Sequence, residues 1–201
     1  MRSSRARLAL AAAALVALLV AIVACTRKGD APDTPPRVAA PDAAQGVAVD
    51  VDLLAYLSLA RALHHEANLK EDMGDLEGAV KAMNHLVTAR QPAGAPPEVD
   101  EVLADAYARR AELEIKQPDL DAAERSVTAG LQHARDTSYF RGHLFEVHGL
   151  VEEARGARLA DAGNAAAARS ARSRAVLLLD QAIKIQEEVV TRSLAAKDGG
   201  R

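Results

Sequence analysis

Three times along this chain a large residue stands four positions before a small one: Leu63 and Ala67, Tyr107 and Ala111, Phe145 and Gly149. Four positions is just over one helical turn, so both members of a pair lie on the same face of a helix. A small residue on that face lets a second helix approach closely, and the large one fills the space towards a further neighbour. After each pair comes a related triplet: Ala79, Met83 and Leu86, then Ala123, Val127 and Gly130, then Ala175, Leu179 and Ala182. Pairs and triplets alternate, which makes an array of repeated helix pairs rather than an arbitrary bundle.

Composition agrees with an all-α domain. Tryptophan is absent, the 201 residues include only two phenylalanines and three tyrosines, and nowhere is there the sustained alternation of a strand. Punctuation predicts six helices. The first runs from Val51 to Met73, with Leu53, Leu54, Leu57, Ala60, Leu63 and Ala67 facing inwards, and Gly74-Asp75 ends it and caps a second over Leu76 to Arg90. Pro92, Gly94, Pro96 and Pro97 break the chain, and Pro97 suits the first turn of a third helix that carries Val102, Ala106, Arg109, Arg110 and Leu113 up to Gln117-Pro118. Asp121 with Glu124 three residues on reads as the capping box of a fourth helix ending near Arg135. Asp136-Thr137-Ser138 turns the chain into a fifth helix from Tyr139 to Ala162, and Gly163-Asn164 reverses it into a sixth from Ala165 to Ala196. Residues 197–201 fray.

This pattern resembles the tetratricopeptide repeat, and the resemblance covers residues 51–196. It implies three antiparallel helical hairpins stacked as an α-solenoid. Ala67 to Ala79 and Ala111 to Ala123 are twelve residues apart, as in that family, but Gly149 to Ala175 is twenty-six. The fourteen extra residues are about two turns per helix, so the third hairpin is expected to be elongated in both arms. The repeat-to-repeat distances of 44 and 52 also exceed the family's usual thirty-four, and the bulky aromatic expected in each second helix is absent.

Ahead of this domain, Arg2, Arg5 and Arg7 precede an apolar run from Leu8 to Ala24 that stops at the single cysteine, Cys25. A charged start, an apolar stretch and a small residue before the break describe an export signal. At seventeen residues the run also lies at the lower limit for an uncleaved membrane anchor. Ile22-Val23-Ala24-Cys25 resembles the lipobox of bacterial lipoproteins. That resemblance implies cleavage between Ala24 and Cys25, acylation of Cys25, and a lasting attachment to the membrane. With Thr26 rather than aspartate after the cysteine, it also implies the outer membrane facing the periplasm, the inner membrane and the cell surface being the alternatives. Residues 1–24 are thus the signal and 25–50 a tether, where Pro32, Pro35, Pro36 and Pro41 lie among alanine, aspartate and glycine without apolar periodicity. Such a tether reaches roughly 70 Å at about 3.1 Å per residue.

Chemistry is sparse. There is no phosphate-binding glycine loop, nucleophile elbow, HExxH, CxxC or haem-attachment motif, and we expect neither an enzyme nor a cofactor. His64, His65 and His85, with Glu66 nearby, are the candidate metal ligands if the first hairpin turns at Gly74. Adjacent His64 and His65 cannot share a helix face, however, and solvated histidines on helix surfaces are far commoner than metal ligands. Cleavage before Cys25 would take the formal net charge from -3 to -6, which disfavours nucleic acid as a partner. Around the Gly163 turn, Arg155, Arg158, Arg169, Arg172 and Arg174 form a candidate basic tip for anionic lipid headgroups or an acidic partner. The same arginines also read as solubilising an alanine-rich hairpin end. The expectation is a lipid-anchored envelope scaffold or adaptor that binds other envelope proteins. The alternative is an envelope helical bundle that carries or senses a small molecule or metal.

Overall fold

The computed structural model describes residues 50–94 and 96–198. The export signal, Cys25, the tether up to residue 49 and the chain end 199–201 lie outside them. Within them the chain forms six α-helices and no strand: α1 (Val51–Asp72), α2 (Leu76–Val87), α3 (Pro97–Lys116), α4 (Leu120–His133), α5 (Tyr139–Asp161) and α6 (Ala165–Asp198).

Side-chain caps account for most of the starts, because the first backbone N–H groups of a helix have no partner inside it. Asp50 accepts from the Asp52 and Leu53 amides at 3.0 and 3.1 Å, Asp75 from Gly78 at 2.9 Å, Ser138 from Arg141 at 3.2 Å and Asn164 from Ala167 at 3.2 Å. Pro97 opens α3, where its missing N–H costs nothing. For α4 the cap is Asp119, which accepts from the Ala122 amide at 3.0 Å, so Asp121 lies inside the helix and the expected capping box does not form. α2 stops at Val87 rather than Arg90, where the Thr88 hydroxyl donates to the Asn84 carbonyl at 2.8 Å. Gly74 and Gly163 turn their hairpins with φ of 79° and 76°, a conformation open to glycine.

In α1 the buried stripe is Tyr56, Ala60, Leu63 and Ala67. Leu54, expected inside, is 55% exposed. The reason is angular: 56, 60, 63 and 67 follow the helical period closely, and Leu54 falls outside that arc. Two cores result. One joins α1 and α2 to the Val99, Leu103, Ala106 and Leu113 face of α3. The other joins the opposite face of α3, Ala104, Ala108 and Ala111, to α4 and α5. α1 packs on α2 and α3, α3 on α4 and α5, α2 on α3, and α4 on α5. Among the described residues α6 packs on α5 alone.

The α5–α6 pair is the most extensive. Gly142, Gly149 and Gly156, one heptad apart, face α6, whose Ala168, Ala171, Ala175 and Ala182 are buried. A Cβ on Gly149 would stand 2.9 Å from Leu179 Cγ and 3.4 Å from the Ala175 carbonyl oxygen. Both helices continue beyond Gly149 and Ala175 to the turn at Gly163, yet α5 is only 23 residues long against 22 for α1, because it starts later relative to its small residue. The elongation expected of both arms falls on α6, at 34 residues. Gln186 Nε2 donates to the Tyr139 carbonyl at 3.2 Å, so the last turns of α6 run beyond the start of α5. Replacing Gly149 by valine should force α5 off α6 and cost about 1–3 kcal/mol. The check is thermal unfolding, in which Gly149→Val melts below the native chain.

Candidate binding surfaces

A row of polar side chains crosses α1, α3 and α5. His64 Nε2 on α1 lies 3.5 Å from Asp105 Oδ2 on α3. One turn along, Arg109 donates to Asn68 Oδ1 at 3.0 Å and to Glu112 Oε2 at 2.9 Å, and with Lys116 it also grips Glu71. His143 on α5 continues the row, 3.6 Å from Glu112 and 3.4 Å from Glu146. The hydrogen bond from Lys116, followed by that from Arg109, holds the Glu71 carboxyl below the usual carboxylate range against its partial desolvation. Beside the row, a surface groove of ≈ 630 Å³ is lined by Ser58, Arg61, Ala62, His64, His65 and Asn68.

Beneath the surface two carboxylates are almost wholly buried. Glu114 accepts from the Ser126 hydroxyl and lies 3.4 Å from Arg110 Nε, which itself donates to Ser126 at 2.9 Å while Arg110 Nη1 reaches Asn84 at 3.3 Å. This knot ties α2, α3 and α4, and burial pushes the Glu114 carboxyl above its ordinary value. Glu152 accepts from Arg155 and, at 2.7 Å, from Arg174. Glu124 on α4 joins it through Arg155 at 3.4 Å and takes His148 Nε2 at 3.0 Å. Glu114 and Glu152 each stand three residues after the small residue of their repeat, Ala111 and Gly149. Sequence reading passed over both, although that shared offset was visible.

The expected basic tip divides accordingly. Arg155 and Arg174 neutralise Glu152 at the junction of α4, α5 and α6. Arg158, Arg169 and Arg172 are exposed, with no ion-pair partner among the described residues, and the stem of Arg172 lies over Gly156. The candidate metal ligands do not converge. His64 turns to Asp105, Glu66 pairs with Lys70 at 2.7 Å, and His65 and His85 face solvent. No group of three or more His, Cys, Asp or Glu side chains placed to hold a metal ion occurs among the described residues. His133 and His148 serve as partners of Asp100, at 2.7 Å, and Glu124. Leu63 and Phe145 are buried and Tyr107 half-buried, as packing residues should be.

Along α6 runs an apolar groove of ≈ 850 Å³, lined by Leu179, Ala182, Ile183 and Val190 together with Glu146 and Glu187. No helix among the described residues is long and apolar enough to cross a membrane. Neither a family model, nor a curated protein, nor a solved structure matches this chain.

Two predictions follow the geometry. Arg155→Glu sets a like charge against buried Glu152 and should lower stability by about 1–3 kcal/mol, whereas Arg158→Glu and Arg169→Glu should leave the melting temperature unchanged. Thermal melts of the three variants decide this. For His64, burial first and nearby Arg109 next hold the imidazole below its usual pKa, outweighing the opposing pull of Asp105. Its folded-state pKa is therefore depressed relative to the unfolded chain. The stability it contributes is present above about pH 6.5 and is lost as pH falls through the folded value. Between about pH 7 and pH 5 the native chain should lose more melting temperature than His64→Gln.

Proposed function

We propose that this chain is a non-catalytic, lipid-anchored scaffold of the cell envelope that binds other proteins across the face made by α1, α3 and α5. On this reading the hairpins α1–α2, α3–α4 and α5–α6 stack as a tetratricopeptide-repeat-like solenoid. The first helix of each hairpin then meets the first helix of the next, and a continuous surface suited to extended segments results. The observation that carries the reading is the polar row itself. Nine side chains from three helices far apart in sequence, His64, Asn68, Glu71, Asp105, Arg109, Glu112, Lys116, His143 and Glu146, are aligned and partly open to solvent. Each is already engaged by a partner of opposite charge or by a hydrogen bond, so a bound segment exchanges one set of ion pairs for another instead of stripping bare charges. Attachment rests on Ile22-Val23-Ala24-Cys25 and the proline-rich residues that follow, which place the domain at a distance from the bilayer. The outer membrane facing the periplasm is the site we propose.

The test is crosslinked co-purification from detergent-solubilised membranes. It compares the native chain with Cys25→Ala and with a double variant, Asn68→Lys with Lys116→Glu, chosen at exposed positions and verified by an unchanged melt. Envelope proteins recovered with the native chain should fall about tenfold with the double variant and be lost with Cys25→Ala. Recovery that the double variant leaves intact, or no recovery with the native chain, overturns the proposal.

A further inference from the structure

The polar row does not end on open surface. Its last residue, Glu146, also lines the apolar groove along α6, so a chain segment that crosses α1, α3 and α5 reaches that groove next. Leu179, Ala182, Ile183 and Val190 give the groove its apolar lining, and from Leu179 to Val190 it follows about 16 Å of helix at about 1.5 Å per residue. That length takes more than one side chain. Ile183 and Val190 are 56% and 57% exposed. Because α6 packs on α5 alone, no other helix among the described residues covers them.

Charge narrows what can lie there. Glu146 and Glu187 are the charged residues that line the groove, and no lysine or arginine does. Glu146 has His143 beside it at 3.4 Å, and Glu187 forms no ion pair among the described residues. Neighbouring bases of α6 do not answer them: Lys184 is outside the groove, Arg192 is held by Glu188, and Arg172 stands about two turns before Leu179. Two carboxylates among aliphatic side chains repel an anionic lipid surface and attract a segment that combines bulky apolar side chains with a base.

We propose that the groove takes the apolar end of the same partner segment that crosses the row, an inference that rests on the reading of the row as a binding face. Packed helices stand about 8–10 Å apart and an extended chain covers about 3.3 Å per residue, so about three residues pass each helix. The segment sets about six residues of mixed charge over the row from α1 to α5. About three bulky apolar residues follow, with a lysine or arginine among them, against Ile183, Val190, Glu146 and Glu187. The two parts act differently. Each charge of the row is already engaged, so ion-pair exchange there fixes direction and register at little net gain, whereas apolar side chains buried in the groove supply most of the affinity.

The experiment uses the full chain in its own membranes, with photoreactive benzoylphenylalanine at Asn68 in one preparation and at Ile183 in another, and the crosslinked peptides are read by mass spectrometry. One stretch of one partner should carry both crosslinks, charged residues at Asn68 and bulky apolar residues at Ile183, within about nine residues of each other. That stretch, made as a synthetic peptide, should bind the purified full chain in detergent. Ile183→Ser with Val190→Ser should weaken the binding by about tenfold or more, and Glu187→Lys by about tenfold, with melts unchanged. If Asn68 captures a partner while Ile183 captures a lipid, a second copy of this chain, a different protein or nothing, the groove proposal is overturned and the reading of the row stands. Capture at neither position overturns both. Capture at Ile183 alone overturns the proposal as well, as does a peptide affinity that the groove substitutions leave unmoved.

Discussion

Close approach between paired helices is the constraint on which the rest of this structure depends. It is set by very few atoms: Ala67 and Ala111 are fully buried, and Gly149 leaves Leu179 and the Ala175 carbonyl oxygen no room for a methyl group. Where two backbones come this near, the large neighbour four residues earlier lies on the same face one turn along and packs beside the contact. Tyr107 illustrates this on the paired α4, with its Cβ 3.0 Å from where a Gly130 side chain would begin and its ring stacked on His133 at 5.8 Å. The same pattern of small and large residues therefore sets how near two paired helices come and fills the space beside their closest point.

Hydrophobic packing of this kind leaves register loosely defined, since alanine-lined helices slide with little change in buried area. The buried carboxylates supply what packing lacks. Glu114 satisfies its oxygens only with Ser126 and Arg110 in place, and Glu152 only with Arg155 and Arg174. A slip of one turn would strand a charge in the interior, a cost of several kcal/mol. Such pairs contribute little net stability when intact, because desolvation offsets attraction; at Glu114 burial outweighs the hydrogen bond from Ser126 and the charge of Arg110 and holds the carboxyl above its ordinary value. Their effect is discrimination: one alignment of α3 with α4, and of α5 with α6, becomes much better than its neighbours.

The helices, most of their ends and the all-α class were legible in the sequence because they are local. Asp75, Pro97, Ser138 and Gly163 act within one turn of where they stand. Asp119 was missed in favour of Asp121 because both precede an apolar run and both satisfy the cap chemistry, and only the observed start at Leu120 separates them. Tyr56 was missed because a stripe drawn through Leu53, Leu54 and Leu57 is wider than the arc a helix buries. The surface networks were not legible at all. That Arg109 meets Glu71, or Arg155 meets Glu124, depends on how one hairpin is set against the next, and no spacing within either helix states that. The same blindness made five arginines near one turn look like one patch, when two of them belong to Glu152.

On the stacked-hairpin reading proposed above, the array has no natural end. Each hairpin would offer its successor a flank of the kind its predecessor offered it, so burial of the last flank must come from a polar capping element, from another molecule, or not at all. α6 is not a polar cap: Ile183, Val190 and Leu194 lie within three turns of one another and are all more than half exposed. α1 is not one either, with Leu54 and Met73 open beside Leu59 and Leu69. A domain in water that exposes two apolar strips at opposite ends gains by covering each, at about 25 cal/mol per Å² of apolar surface.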